Sequence, residues 1–585
     1  MKKIFSLTVL LAMLLTASAG FTACQNDSLE PGNETDIQNE FTPPIEECRP
    51  PQDTESNHPE EIQESRGLEF YSNGNGTCRV KGIGTCTDTW VVIPRVSPEG
   101  DTVTSIGFYA FENCGNLTAI MIPDSVTTLE ENAFLDCVGL TSITIPASVT
   151  SMERGVFNGC SRLTAITVDE NNPSYCSRDG VLYDKDCTTL LRCPPEKREI
   201  SIPDSVTHIA DYAFQGSIAA SIILPTGVTA IGEFAFHQCA QLQSLIIPDS
   251  TTGICDLAFQ DCASLSEIHL GANVAELSAS VFLGCSSLRS ISVSENNSAF
   301  CSVNGVLYSK DASTILLCPA AKGEVILPAT VTAIGDGAFL SCASLNSVTI
   351  PNGVTVIGAS AFAGCTGLTA MDIPNSVTKI GSNAFEGCSG LASITIPDRV
   401  THIGTGAFRG CTDLTSVTIP NSVTRIDNHT FSGCTALTEI HLGNRVTHLG
   451  VSAFEGCSSL TSFTIPESVT YIDTMAFSGC TQLASLVIPD SVTEIGDLAF
   501  NQCSGLTEFI FGNHVVKVGS DVFNQCTSLR YLVITESVKS INLSTLSTCT
   551  ALTEIYYTGT ETDWYDIVRN QIGNIPYTIH YNHVP

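Results

Sequence analysis

From Thr104 onward the chain repeats one order of apolar and polar positions about every 23 residues. One copy runs Leu391, Ala392, Ser393, Ile394, Thr395, Ile396 and Pro397, then Val400, Ile403, Gly404, Ala407, Phe408 and Cys411, after which Leu414 opens the next. Ile394 and Ile396 alternate with Ser393 and Thr395, the period of a short strand with one buried face. Pro397, lacking an N–H, ends that strand. A second extended piece, Val400 to Ile403, leads through Gly404 into a predicted helical or 3₁₀ turn in which Ala407 and Phe408 close the coil. No copy can bury its own apolar side, so stability must come from stacking copy on copy.

The phenylalanine marks the period: it stands at 111, 134 and 157, at 214, 236, 259 and 282, and then at every 23rd residue from 339 to 523. With a degenerate copy around Leu546 the pattern predicts a repeat solenoid of about seventeen rungs over residues 101–555. At a strand spacing of about 4.8 Å such an array is a rod or arc roughly 80 Å long. Two insertions, at about 169–200 and 294–325, stretch the phenylalanine spacing to 57. They match at an offset of 125: Glu170 to Cys176, Gly180 to Tyr183 and Cys193-Pro194 correspond to Glu295 to Cys301, Gly305 to Tyr308 and Cys318-Pro319. Turn residues between short apolar runs predict a hairpin excursion from the solenoid edge, suited equally to a binding face and to a spacer.

A unit of this form, Leu391 through Cys411, resembles the BspA-like leucine-rich repeats, also called the Treponema pallidum type, which are abundant in surface proteins of the Bacteroides group. The opening Tyr71 to Pro94 stretch and the closing Tyr556 to Trp564 stretch are similar to that family too. We read them as an N-terminal β cap over 67–100 and a C-terminal cap over 556–585, because an uncapped terminal rung exposes apolar surface and unpaired strand edges. The resemblance implies a leucine-rich-repeat fold and an association with adhesion to host matrix proteins and to other bacteria.

The amino terminus adds an address. Lys2 and Lys3 precede an apolar run from Ile4 to about Leu15 and then small residues, the layout of a secretory signal. The run is too short to span a bilayer. Phe21-Thr22-Ala23-Cys24 resembles a lipobox, so residues 1–23 are expected to be a lipoprotein signal with Cys24 as lipid acceptor. The chain is then an exported, surface-exposed outer-membrane lipoprotein; cleavage after Ala19 and free secretion is the alternative. Residues 24–66, with twelve acidic side chains against two basic ones, predict a disordered tether. A net charge of −34 disfavours nucleic acid and anionic lipid as partners, leaving membrane contact to the lipid anchor.

Sixteen of the 26 cysteines occupy one repeat position, from Cys114 to Cys549, and are expected to form a buried, reduced ladder. Parallel side chains on neighbouring rungs miss the Cβ spacing that a bridge prefers. Outside the ladder Cys176 with Cys193, Cys301 with Cys318, and Cys78 with Cys86 are the candidate disulfides; Cys48, Cys187 and Cys255 have no partner that sequence can nominate. Neither a CxxC nor an HxxxH arrangement occurs, so no metal and no cofactor is expected. The near copies Glu267-Ile268-His269 and Glu439-Ile440-His441 stand too many rungs apart to share a ligand and read as solvated strand face. With no nucleophile motif, no phosphate loop and no domain outside the array to house a pocket, catalysis is not expected and no catalytic residue is nominated.

What remains is surface. The outward strand positions are mostly small and polar, as in Ser142 and Thr144 or Ser393 and Thr395, and departures gather near the carboxy end. Val487, Ile510, Tyr531, Val533 and Tyr556 form the candidate binding face, with end-capping as the competing reading. The expected function is an adhesin-like cell-surface protein that engages proteins of host matrix or of other bacterial cells. A structural surface or biofilm component is the alternative; glycan binding is weaker, because the central rungs lack an aromatic platform.

Overall fold

The computed structural model describes residues 63–568 and 577–583. The expected signal, Cys24, Cys48 and all but the last four residues of the tether lie outside the described residues. The described residues form one unit of stacked rungs.

Within a rung, alternation does what it predicts. Ile394, Ile396, Val400, Ile403, Ala407, Phe408, Cys411 and Leu414 are all buried, while Ser393 and Thr395 are exposed. Strands pair in parallel register one repeat apart, Ala370 with Ser393 and Ser416 with Glu439. A second column pairs Ile357 with Ile380 and Ile380 with Ile403. Threonine hydroxyls extend that column, as where Thr378 Oγ1 donates to the Thr355 carbonyl at 3.2 Å. Register one repeat apart superposes the phenylalanines, whose rings stack at centroid distances such as 5.3 Å between Phe385 and Phe408. Each buried ring contributes about 1.5–3 kcal/mol of apolar burial.

The Ala-Phe segment, expected as a helical or 3₁₀ turn, makes bonds of the 3₁₀ kind but does not run on as a helix. Ala407, Arg409 and Cys411 donate to the carbonyls three residues back, whereas Gly406, Phe408 and Gly410 donate to the next rung, at Asn428, Thr430 and Ser432. Alternate N–H groups are thus spent between rungs, and left-handed residues at Gly406 (φ 64) and Gly410 (φ 70) keep the chain from continuing as a helix. Among the described residues 3₁₀ structure occurs at Leu543–Leu546, in the degenerate rung, and an α-helix at Glu561–Val568.

The cysteine ladder is buried throughout except at Cys114, which is partly exposed, and its thiols are free. The buried thiols also donate to backbone carbonyls. Cys388 Sγ reaches the Phe362 carbonyl at 3.0 Å and Cys411 Sγ that of Phe385 at 3.2 Å, and the pattern recurs along the array. A small apolar residue with a weak donor fits a slot that faces a carbonyl of the rung before it. Burial pushes the Cys434 and Cys503 thiols up to about 12 and Cys549 to about 11, which keeps these three protonated and inert, whereas hydrogen bonds with Cys137 and Cys239 lower Cys160 and Cys262.

The insertions are not excursions from an edge. In the first, Tyr175–Arg178, Val181–Asp184 and Thr189–Arg192 form an antiparallel meander whose last strand pairs in parallel with His208–Ile209 and so starts a new column. The second repeats this with Phe300–Val303, Val306–Ser309 and Thr314–Leu317, joined to Ala333–Ile334. Both bury Tyr183 or Tyr308 and are therefore rungs of the core. They also divide it. One hydrophobic cluster runs from Leu68 to Leu182, a second from Val181 to Leu317 and a third from Val306 to Val568. Each insertion is a joint between stacks.

At the carboxy end Thr560 and Asp563 cap the Glu561–Val568 helix reciprocally, the hydroxyl accepting from Asp563 N at 3.3 Å and the carboxylate from Thr560 N at 3.0 Å. The helix buries Trp564, Ile567 and Val568 in the third cluster. At the other end the hairpin Glu69–Ser72 with Thr77–Gly82 pairs onto Thr102–Ile106.

Candidate binding surfaces

The outward residues of the first strand column form an uncovered face, because nothing in the repeat packs over it. Its side chains stand in straight files set by register. Near the carboxy end one file reads Val487, Ile510, Val533, Tyr556 and His580, and the other Ser485, Glu508, Tyr531, Glu554 and Thr578.

The five residues expected to bind share this face but are not equally available. Val487 is 62% exposed, Ile510, Tyr531 and Tyr556 are half-buried, and Val533 is 5% exposed. Tyr556 stacks on His580 at 4.7 Å and meets His583 at 4.8 Å, and Tyr531 meets Tyr556 edge to face at 6.3 Å. Tyr531 also donates its hydroxyl to Glu508, and His580 pairs with Glu554. Val533, paired with Tyr556 of the next strand, thus leaves the open surface, and the file is most exposed at its Val487 end.

Other open positions escaped the sequence reading. Ile223 is 82% exposed, Ile246 69% and Ile326 68%, each occupying the outward site that Thr349 and Thr395 hold in their own rungs. Ser221 bridges Ser244, and Ile246 pairs in register with His269, so Ile223, Ile246 and His269 follow one another in a file. The signal was present, since Ile222 and Leu224 point inward and period two puts Ile223 outward. At the amino end Trp90 is exposed on the same face opposite Ala119, and Arg79 lies over the rings of Tyr71 at 4.8 Å and Phe108 at 5.0 Å. His269 accepts or donates to Ser292 at 3.0 Å and His441 pairs with Glu439 at 3.0 Å, each within its own neighbourhood. No group of three His, Cys, Asp or Glu among the described residues is spaced to hold a metal ion.

The expected disulfides are not the contacts the fold makes. Cys176 Sγ lies 3.0 Å from Cys187 Sγ, while Cys193 is fully buried and turned to the Pro194 carbonyl. The tight turn after Asp184, with Cys187 at φ 54, folds that residue back onto the first strand of the meander. In the second insertion Cys301 Sγ donates to the Ser309 carbonyl at 3.1 Å, and Cys318 sits in the rung ladder beside Cys342. Cys78 Sγ points to the Asp101 carbonyl at 3.6 Å, and Cys86 is partly buried against the first hydrophobic cluster.

Among solved structures, a leucine-rich-repeat protein of Bacteroides ovatus is 24% identical over 85% of this chain and 98% of its own, with a TM-score of 0.34. A leucine-rich cell surface protein of Faecalibacterium prausnitzii is 23% identical over 87% and 97%, with a TM-score of 0.31. The pneumococcal vaccine antigen PcpA is 19% identical over 89% and 98%, with a TM-score of 0.39. A comparison with curated proteins gives no match. The BspA type leucine-rich repeat region matches residues 94–178, 193–303, 323–438 and 447–567. With the repeat register and both insertions inside or beside those segments, this chain belongs to the BspA-type leucine-rich-repeat family.

Proposed function

We propose that the protein is a cell-surface binding protein that engages proteins of host matrix or of other bacterial cells through the open strand face. The observation that carries this is the set of aliphatic side chains held out on that face, Ile223, Ile246, Ile326 and Val487, at 62–82% exposure. A chain that hides nearly every other isoleucine has no folding reason to leave these in water, whereas an interface buries them. Separate patches along one array suit weak contacts that act together. No helix among the described residues is long and apolar enough to cross a membrane, and the proposed attachment is a lipid on Cys24 behind a lipoprotein signal.

Solid-phase binding of the purified chain to matrix proteins and to bacterial cells tests the reading. Saturable binding is expected, reduced in Ile223→Ser/Ile246→Ser and in Val487→Ser. Saturable binding to neither kind of surface would sink it and favour a structural component. Radiolabelled palmitate incorporation, lost in Cys24→Ala, tests the anchor.

A further inference from the structure

The two joints present the same positions, 125 residues apart, with different contents. At the first, a cavity of 330 Å³ opens between the rung of Phe157 and the rung of Tyr212. At the second, the corresponding space between Phe282 and Gly337 is 20 Å³. Among the exchanges that separate them, Arg154, Asn158, Arg192 and Tyr212 stand where the second joint has Ala279, Leu283, Leu317 and Gly337, and Met152, Glu153, Gly155, Tyr175 and Ala210 are exchanged too.

The volumes follow from those exchanges. Arg154 lies over the Tyr212 ring at 5.1 Å and holds Asp211 at 3.3 Å and Glu233 at 2.5 Å, a prop that keeps the two rungs apart. At the second joint the rungs close until a Cβ added to Gly337 would lie 2.5 Å from that of Ala279. Large side chains therefore make the larger cavity.

Its inner wall carries an unusual charge. Arg192 is 4% exposed, and its guanidinium donates to the carbonyls of Tyr212 and, at 3.2 Å, of Phe157. Its Nε has no partner, and no carboxylate among the described residues pairs with it. The acids that line the cavity are committed elsewhere: Asp211 to Arg154 and to Glu233 N, Glu153 to Glu131 N at 2.9 Å. A buried cation left with donors to spare is costly unless an anion joins it, and Leu317 shows that the joint does not need one to fold. Around Arg192 the lining is apolar and aromatic, with Phe157, Leu182, Leu191, Tyr175 and Tyr212.

We propose that this cavity binds a small organic carboxylate with an apolar body, the acid on Arg192 and the body against Phe157, Leu182 and Leu191. The volume sits at the low end of the range for ligand sites, about 300–1,000 Å³, which suits a single ring or a single residue rather than an extended chain. A free acid and the C-terminal residue of a peptide offer the same chemistry. The site is separate from the strand face and stands or falls independently of it.

Calorimetric titration of the full chain tests this with phenylacetate, N-acetylphenylalanine, a peptide ending in phenylalanine with a free carboxylate, the same peptide as its amide, and phenethyl alcohol. Saturable binding is expected for at least one carboxylate and at least about tenfold weaker binding for the amide and the alcohol, since a charged hydrogen bond is lost. The free acids and the free-carboxylate peptide distinguish the two sources. Arg192→Leu, which copies the residue of the second joint, should lose the binding by a similar factor. Arg154→Ala/Tyr212→Gly, which removes the prop but not the cation, should lose it too and decides the matter if Arg192→Leu folds poorly. No saturable binding of any carboxylate, equal binding of the alcohol, or unchanged binding in both variants overturns the proposal.

Discussion

The two insertions start from matched sequences and build the same meander, yet the space between the last meander strand and the rungs beside it is charged and hollow at one joint and apolar and filled at the other. What they share is the entry. Asn172 and Asn297 are both fully buried with every amide valence used: Asn172 donates to the Pro146 and Val149 carbonyls and accepts from Ser174 and Tyr175, and Asn297 does the same with Gly271, Val274, Ala299 and Phe300. Where they part is the last strand and the rung that follows. The lesson is that a repeat array can keep the scaffold of an insertion and vary what the joint holds.

The sharpest way to break this comparison is to exchange the two joints. Leu317→Arg places a guanidinium in a 20 Å³ space and should cost about 4 kcal/mol, the scale of a buried charge without a partner, whereas Arg192→Leu should be neutral or stabilising. Urea unfolding followed by hydrogen exchange at each joint reads both, and a small loss from Leu317→Arg would mean that the joints are interchangeable. The shared entry predicts the opposite behaviour. Asn172→Ala and Asn297→Ala should each cost about 3 kcal/mol by orphaning buried backbone groups. The two losses should agree within about 0.5 kcal/mol and add in the double variant, as distant sites do.

A third difference is chemical. Position 312 is alanine where the first insertion has Cys187, so only the first meander can be stapled. Burial pushes the Cys176 thiol up to about 12, so the bond is expected to form during folding, before the thiolate is suppressed. The two thiols surrender two protons and two electrons to an oxidised dithiol carrier through a mixed disulfide, and Cys187 or Cys176 then displaces the carrier thiol. Peptide mapping of chain exported into an oxidising compartment should find Cys176 joined to Cys187 and Cys301 alkylatable after denaturation. The staple should add roughly 2–3 kcal/mol, lost on reduction. A Cys176–Cys193 peptide would contradict the geometry. The smallest effect is at Tyr175, whose hydroxyl accepts from Met152 N at 2.8 Å where the second insertion has Phe300. Tyr175→Phe should cost about 1 kcal/mol, visible as a shift in urea midpoint.

Much of this was legible before any coordinates. Alternation put Ile394 inward and Ser393 outward. The cysteine ladder followed from one residue type recurring at one position. The Ala-Phe turn keeps its bonds to the third residue back but does not become a helix, because the alternate donors are taken by the next rung. Pairing Cys176 with Cys193 went astray for a related reason: equal spacing in two copies says nothing about which side of a meander each sulfur faces, and the turn at Cys187 decides that. Val533 is expected on the surface because strand period alone cannot see the burial of the last strands, where Val533 pairs with Tyr556.

By itself the sequence determined the rung, its buried face, the stacking of like on like and the kinship of the two insertions. Those follow from a short period imposed on every copy, which leaves each residue the same neighbours one repeat away. Tertiary structure alone decided what the joints contain. There the neighbours lie off the period, as with Arg192 and the Phe157 carbonyl 35 residues away. The space between such groups depends on whether an arginine and a tyrosine prop the rungs apart or an alanine and a glycine let them meet.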